Sequence, residues 1–199
     1  ILANKLKSIQ VAQTLRTRGL LIFSKLEFRR LFAVSDPAAT FFLFRHCRSG
    51  LFVRLKNGLY ALADNFPSEE EIANRLYQPS YLSFDYILAR HGVVPEAVYG
   101  VTSATTMPTR RFVVEGKAYD YFTIKREAYT GYRPEKIHER TILAASPEKA
   151  MADLLYFVHL KKRSLNDRWY TRKISRTKVL GYIRLFQSKS LIKMAMEVL

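Results

Sequence analysis

Hydrophobic positions in the first sixty residues repeat at helical spacing and then give way to strand-like runs. Ile9, Ala12 and Leu15 share one face of a predicted helix over 4–18, with Lys5, Lys7, Arg16 and Arg18 elsewhere and Gly19 as its stop. Ser24-Lys25-Leu26-Glu27 is a capping box: the serine hydroxyl accepts from a first-turn amide and the glutamate reaches back. Leu26, Arg30 and Leu31 continue that helix to about Phe32, and Ala33-Val34-Ser35 breaks it. Asp36, as N-cap, and Pro37, in the first turn, open a further helix that runs to about Arg48 and stops at Ser49-Gly50. Leu51–Leu55 reads as a strand, Lys56-Asn57-Gly58 as a tight hairpin turn and Leu59–Leu62 as the returning strand. Two helices joined by a short turn and followed by a hairpin predict a winged helix-turn-helix.

Asp64-Asn65-Phe66-Pro67 marks a junction, so the expected domains are 1–64 and 65–199. Ser68 to Glu71 forms a second capping box, whose helix extends to about Gln78. Pro79-Ser80 interrupts the chain, and a helix is expected from about Tyr81 to His91, ending at Gly92. Residues 98–105, 110–115, 119–125 and 141–145 read as strands, with bends at Pro108 and Gly116. Ser146-Pro147 starts another helix, with Ala150, Leu154, Leu155 and Phe157 on its buried side. Helical segments follow at about 176–187 and 190–199, with Val179, Leu180, Ile183 and Phe186 as an apolar stripe. The class is α+β: an N-terminal winged helix-turn-helix, then a domain with a small, mainly antiparallel sheet and a basic helical tail over about 160–199.

Composition narrows the function. The 199 residues are 48% hydrophobic, enough for packed cores. The single cysteine, Cys47, excludes internal disulfides and Cys-rich zinc sites and suits a cytoplasmic setting. No apolar run reaches the roughly 18 residues of a membrane span, and Ile1–Gln10 has no signal-peptide core. The chain also starts without an initiator methionine, as expected of a piece that begins inside a longer natural chain. Charge is the unusual property: 33 Lys and Arg oppose 17 Asp and Glu, for a net +16. Residues 1–60 hold 11 basic against 2 acidic side chains, residues 61–158 hold 11 against 13, and residues 159–199 again hold 11 against 2. Charge segregated in this way calls for a polyanion partner, nucleic acid first and an anionic membrane surface second.

On the helix at 36–48, helical spacing turns Ala39, Leu43 and Cys47 to the core, with His46 at their edge, and Thr40, Arg45 and Arg48 outward. In a winged module this helix enters the major groove, where arginine reads guanine and threonine touches a base edge or a phosphate. Arg54 and Lys56, beside Asn57 on the hairpin, suit phosphate or minor-groove contacts. Phe41 and Phe44 fall on the same outward face, and the ordinary expectation is that they pack on the hairpin or the second domain. The competing reading of the module is a dimerisation or scaffold unit, since fold alone does not give function; the basic charge favours DNA.

Catalytic patterns are lacking. His46, His91, His138 and His159 include no pair at helical metal-site spacing, and the chain has no phosphate-binding glycine loop and no Gly-x-Ser-x-Gly elbow. Glu115-Gly116-Lys117 follows a strand, as in Mg²⁺-dependent nucleases that pair such a Glu with an upstream Asp. Asp85 is the only upstream Asp at moderate distance and lies in a predicted helix, so a hairpin turn is the simpler reading. In the basic run 160–178, Trp169 and Tyr170 either stack on bases or anchor the segment, and its charges are either a solvated surface or a patch for RNA or an acidic partner.

Four stretches in order resemble one family. They are Arg54-Leu55-Lys56-Asn57-Gly58-Leu59-Tyr60-Ala61-Leu62, the segment Tyr81 to Gly92, Val101-Thr102-Ser103-Ala104-Thr105-Thr106, and Ala144-Ala145-Ser146-Pro147-Glu148-Lys149-Ala150-Met151-Ala152-Asp153-Leu154-Leu155-Tyr156. Over about residues 5–160 the chain resembles the AbiEi antitoxins of bacterial abortive-infection toxin–antitoxin systems. The resemblance implies a two-domain regulator without catalytic residues, cofactor or metal. Its winged helix would bind double-stranded operator repeats and repress its own operon. Its second domain would counter a nucleotidyltransferase-type toxin. The basic tail has no residue-by-residue counterpart.

Overall fold

The computed structural model describes residues 6–95, 98–137, 140–164 and 168–199. The chain is α+β and divides into two compact units, Ile1–Leu76 and Tyr77–Leu199. No helix among the described residues is long and apolar enough to cross a membrane.

The first unit runs α1 (Ser8–Thr17), β1 (Ile22–Ser24), α2 (Lys25–Phe32), α3 (Asp36–Arg48), β2 (Phe52–Lys56), β3 (Leu59–Leu62) and α4 (Glu69–Leu76). Strand β1 was not expected from the sequence. It pairs antiparallel with β3, Ile22 opposite Ala61, and gives a sheet in the order β1-β3-β2. The capping box forms as expected: Ser24 Oγ accepts from the Glu27 amide and Glu27 accepts from the Ser24 amide. In α1 the buried residues are Val11, Ala12 and Leu15, whereas Ile9 is 79% exposed. The buried arc centres on Leu15, and at 100° per residue Ile9 lies about 120° from it. Phe23, Phe28, Phe42 and Phe52 meet in the core at ring separations of 5.4–6.4 Å, the offset and edge-on spacing that aromatic quadrupoles favour.

Helix α4 belongs to this unit, so the division falls after Leu76 rather than at the junction near Pro67. Two bonds explain this: Arg75 Nη2 donates to Glu27 at 2.9 Å, and Lys56 Nζ donates to the Leu76 carbonyl. Ser68 and Glu71 form the expected reciprocal cap at its start.

The second unit holds β4 (Ser80–Leu82), α5 (Phe84–Arg90), β5 (Val101–Thr105), β6 (Arg110–Val114), β7 (Lys117–Thr123), β8 (Tyr132–Ile137), β9 (Arg140–Ala145), α6 (Pro147–His159), α7 (Arg176–Arg184) and α8 (Lys189–Val198). Its sheet is six-stranded, in the order β6-β7-β5-β4-β9-β8. It is larger than the small sheet expected and it is mixed: β5 pairs parallel with β7 and β4 with β9, while the other pairings are antiparallel. The two extra strands, β4 and β8, explain the larger size, and the parallel β5–β7 pair lies between two expected strands. Ser80–Leu82 is too short to show alternation and reads as the start of a helix, and Pro134 argues against a strand at 132–137. Strand β8 tolerates that proline because it is an edge strand.

Ser146 caps α6 by accepting from the Lys149 amide, with Pro147 in the first turn. One turn on, Lys149 and Asp153 form an ion pair of 2.5 Å, both side chains 0% exposed. Asp153 also accepts from Tyr81 Oη at 3.1 Å and Ser83 Oγ at 2.7 Å, and the Lys149 ammonium lies 5.0 Å from the Phe186 ring centre. Burial pushes the Asp153 carboxyl up, and the lysine and the two hydroxyls oppose that shift. Of the expected stripe, Val179 and Ile183 on α7 and Phe186 just after it are buried, Leu180 is half-buried, and Phe186 stacks on Tyr156 at 4.3 Å.

Lys149→Met leaves Asp153 buried without its cation and is expected to cost about 3–5 kcal/mol. In the variant the Asp153 pKa lies above its unfolded value, so the carboxylate penalty vanishes below the unfolded value and grows as pH rises through the folded one. Urea unfolding should therefore show a smaller deficit at about pH 5 than at about pH 8. A deficit that does not change with pH would contradict this account of the pair.

Candidate nucleic-acid interface

The residues singled out for a groove contact lie on α3 and the β2–β3 hairpin, and one lysine holds those elements together. The Lys25 amide donates to the Gly58 carbonyl at 3.0 Å, in the hairpin turn, and its ammonium donates to Asp36 at 2.8 Å, in the first turn of α3. Arg29 on α2 donates to the other Asp36 oxygen at 3.1 Å. The bond from Lys25 is the leading cause that holds the Asp36 carboxyl below its usual value. This use of Asp36 corrects the sequence reading of it as N-cap: Ser35 caps α3, with its hydroxyl accepting from the Ala38 amide, and Asp36 is the first helical residue. Ala33 turns the chain between α2 and α3 in the left-handed region, at φ 50°.

Helical spacing placed the outward side chains of α3 as the structure shows them. Ala39 and Leu43 are buried, and Thr40, Arg45 and Arg48 are exposed. The buried edge differs: Phe42 enters the core and Cys47 is half-buried. His46 lies 4.2 Å from the Phe42 ring, and burial, helped by Arg45, lowers its pKa below the usual value. It packs at the core edge. Thr40 Oγ1 sits 3.4 Å from Lys25 Nζ. Arg45 and Arg48 have no carboxylate partner among the described residues.

Phe41 and Phe44 do not pack on the hairpin. They are 67% and 60% exposed, and the Arg48 guanidinium lies 5.7 Å from the Phe44 ring centre. At 100° per residue, Phe41 and Phe44 lie about 150° from the centre of the buried Ala39–Phe42–Leu43 arc, so they stay on the far side of the helix.

On the hairpin, Asn57 and Gly58 form a two-residue turn between Lys56 and Leu59, with Gly58 at φ 75°. The left-handed region suits glycine there. Arg54 Nη2 donates to Asn57 Oδ1 at 2.9 Å, so these two candidates form one unit at the tip. Lys56 points elsewhere, toward the Leu76 carbonyl at the end of α4. Local sequence gives no sign of this, because the partner lies 20 residues away.

The nuclease pattern disperses. Glu115 and Gly116, at φ 46° and 76°, are the tight turn between β6 and β7. Asp85 is ion-paired with Arg163. No group of three His, Cys, Asp or Glu suited to a metal ion occurs among the described residues. His159 bonds the Ser190 hydroxyl at 3.2 Å, burial lowers the pKa of His91, and His138 lies outside the described residues.

Part of the basic run is consumed internally. Besides its ion pair, the Arg163 guanidinium lies 4.5 Å from the Phe122 ring centre, and Arg176 donates to the Met196 carbonyl at 2.7 Å. The Tyr170 amide bonds the Val93 carbonyl at 2.8 Å while its ring stays exposed, with the Lys173 ammonium 5.6 Å away. The chain matches no family model and no curated protein sequence.

The Arg75 contact that ties α4 to α2 allows a clean test. Burial pushes the Glu27 carboxyl up, but bonds from Ser24 and Arg75 prevail and hold it below its ordinary value. Gln at this position keeps the capping box and loses the charge. Glu27→Gln should cost about 0.5–1 kcal/mol at neutral pH, as a partly exposed pair does. A lowered carboxylate pKa contributes stability above the unfolded value and loses it as pH falls through the folded one. Chemical unfolding of the two proteins should therefore converge at about pH 3.

Proposed function

We propose that the first unit is a winged helix-turn-helix that binds double-stranded DNA, with α3 in the major groove and the β2–β3 hairpin as its wing. The observation that carries this reading is the outward face of α3. Thr40, Arg45 and Arg48 stand exposed, the two arginines lack carboxylate partners among the described residues, and Lys25 and Arg29 fix the helix through Asp36. Arginine in a groove pairs bidentately with guanine. Arg54 and Asn57 at the wing tip suit phosphate or minor-groove contact. Lys56, turned to the end of α4, supports the wing instead of touching DNA.

We further infer that the chain is an AbiEi-type antitoxin, a transcriptional autorepressor that counters a nucleotidyltransferase-type toxin of its own operon. The ordered motifs from Arg54 to Tyr156 support this part, the Pro147-Glu148-Lys149-Ala150 helix start above all. Lys149 of that motif pairs with Asp153 in the core, which gives the motif a structural reason. A second reading, a scaffold that meets RNA or an acidic protein, rests on the exposed Tyr170 beside Lys173.

Fluorescence anisotropy on the duplex upstream of the gene, against a scrambled duplex over a salt series, separates the two. The repressor reading expects a preference of about 10³ or more for its own duplex, retained near physiological salt. Equal and steeply salt-dependent binding to both would leave only a phosphate-seeking surface and end that reading. Arg45→Ala should cost about 1–3 kcal/mol and relax sequence preference. Lys56→Ala should act through stability, lowering the unfolding midpoint with little change in preference.

A further inference from the structure

Phe41 and Phe44 occupy the middle of the outward face of α3. At 100° per residue they flank Arg48 by about 20° and 40°, with Thr40 and Arg45 farther round on either side. Full burial of a phenylalanine side chain is favourable by about 1.5–3 kcal/mol, yet the structure leaves these two 67% and 60% exposed while Phe42 between them fills the core. The surface that covers them must be apolar where it meets the rings and anionic around them, because Arg45 and Arg48 stand beside them without carboxylates among the described residues. A second copy of α3 fails this requirement. It would set arginine against arginine, and the acid of α3, Asp36, already serves Lys25 and Arg29. The floor of the major groove meets it: thymine presents a C5-methyl there, and phosphates line both rims. Residues three apart on a helix rise about 4.5 Å, against about 3.4 Å per base step along a strand, so the two rings can meet methyls on neighbouring steps.

Resting on the reading of α3 as the groove-entering helix, we propose that Phe41 and Phe44 are specificity residues that read thymine by contact with its C5-methyl group. Arg48, steadied against the Phe44 ring, and Arg45 take guanine or phosphate beside them. The bound sequence is then T-containing at its centre, and apolar contact, not hydrogen bonding, carries that part of the code.

The test exchanges thymine for deoxyuridine, which removes the methyl and keeps the base pair. A random-core duplex library is selected on the full chain, and the selected duplex is synthesised with deoxyuridine at each thymine in turn. At one or two positions the loss of a methyl should weaken wild-type binding about three- to fivefold, the worth of one buried CH₂-sized group. Phe41→Ser and Phe44→Ser, exposed and expected to fold normally, should bind the thymine duplex more weakly and no longer distinguish it from its uracil counterpart. If the wild type binds one sequence preferentially but treats thymine and uracil alike at every position, the proposal falls while the DNA-binding reading stands. If the serine variants abolish a self-association seen in sedimentation and retain uracil discrimination, the face belongs to a second copy and the proposal again falls. If selection yields no preferred sequence, the DNA reading falls and takes the proposal with it.

Discussion

With 33 basic side chains and 17 acidic ones, this chain has about one carboxylate for every two cations. Each carboxylate therefore decides which cations become internal ties and which keep their charge for solvent or a partner. Asp36 takes Lys25 and Arg29, Glu27 takes Arg75, Asp64 takes Arg16, Asp85 takes Arg163, Asp120 takes Arg111 and Asp153 takes Lys149. Most of these pairs are partly exposed, and each contributes on the order of 0–1 kcal/mol. Their larger effect is positional. The Asp36 pair fixes the start of α3 against α2, and the Lys25 amide adds the hairpin turn to the same joint. The buried Lys149–Asp153 pair differs in kind, because neither partner can be removed without leaving a charge in the core.

What the sequence made legible were features whose chemistry is local. The capping residues Ser24, Ser68 and Ser146 bond as their spacing indicates, and Asn57-Gly58 makes the two-residue turn. Helical period separated Ala39 and Leu43 from Thr40, Arg45 and Arg48. Features set by distant partners were not legible. Ile22–Ser24 is a strand only because β3 lies beside it, and Ser80–Leu82 only because β5 and β9 flank it. Ser35 displaces Asp36 as cap because the aspartate has two cations on α2 to satisfy. Lys56 turns from the hairpin to a carbonyl 20 residues on. In every case the local signal was sound, and a tertiary contact outweighed it.

The basic run after α6 shows the same division within the second unit. Arg163 is enclosed by Asp85 and by the rings of Phe122 and Phe84, and Arg176 fastens α7 to the α8 carbonyl of Met196. Arg163 thus ties the segment after α6 to α5 and β7, and Arg176 ties α7 to α8, whose buried faces include Val179, Ile183 and Leu191. Charge density in the sequence does not distinguish an arginine clamped on a ring and a carboxylate from one left in water.

That distinction also separates the charge on α3 from the charge in the basic run. Arg163 and Arg48 both stand over phenylalanine rings, at 5.6 Å from Phe84 and 5.7 Å from Phe44. A ring attracts a guanidinium through its quadrupole but leaves the net charge in place, whereas a carboxylate cancels it. Arg163 has both kinds of neighbour and its field is quenched. Among the described residues Arg48 has the ring and no carboxylate, so its charge still reaches outward. A planar donor forfeits less entropy on binding an anion or a base edge than a lysine would. Phe44 therefore stands beside a cation whose charge it does not cancel, and with Phe41 it presents apolar surface that an arginine lacks.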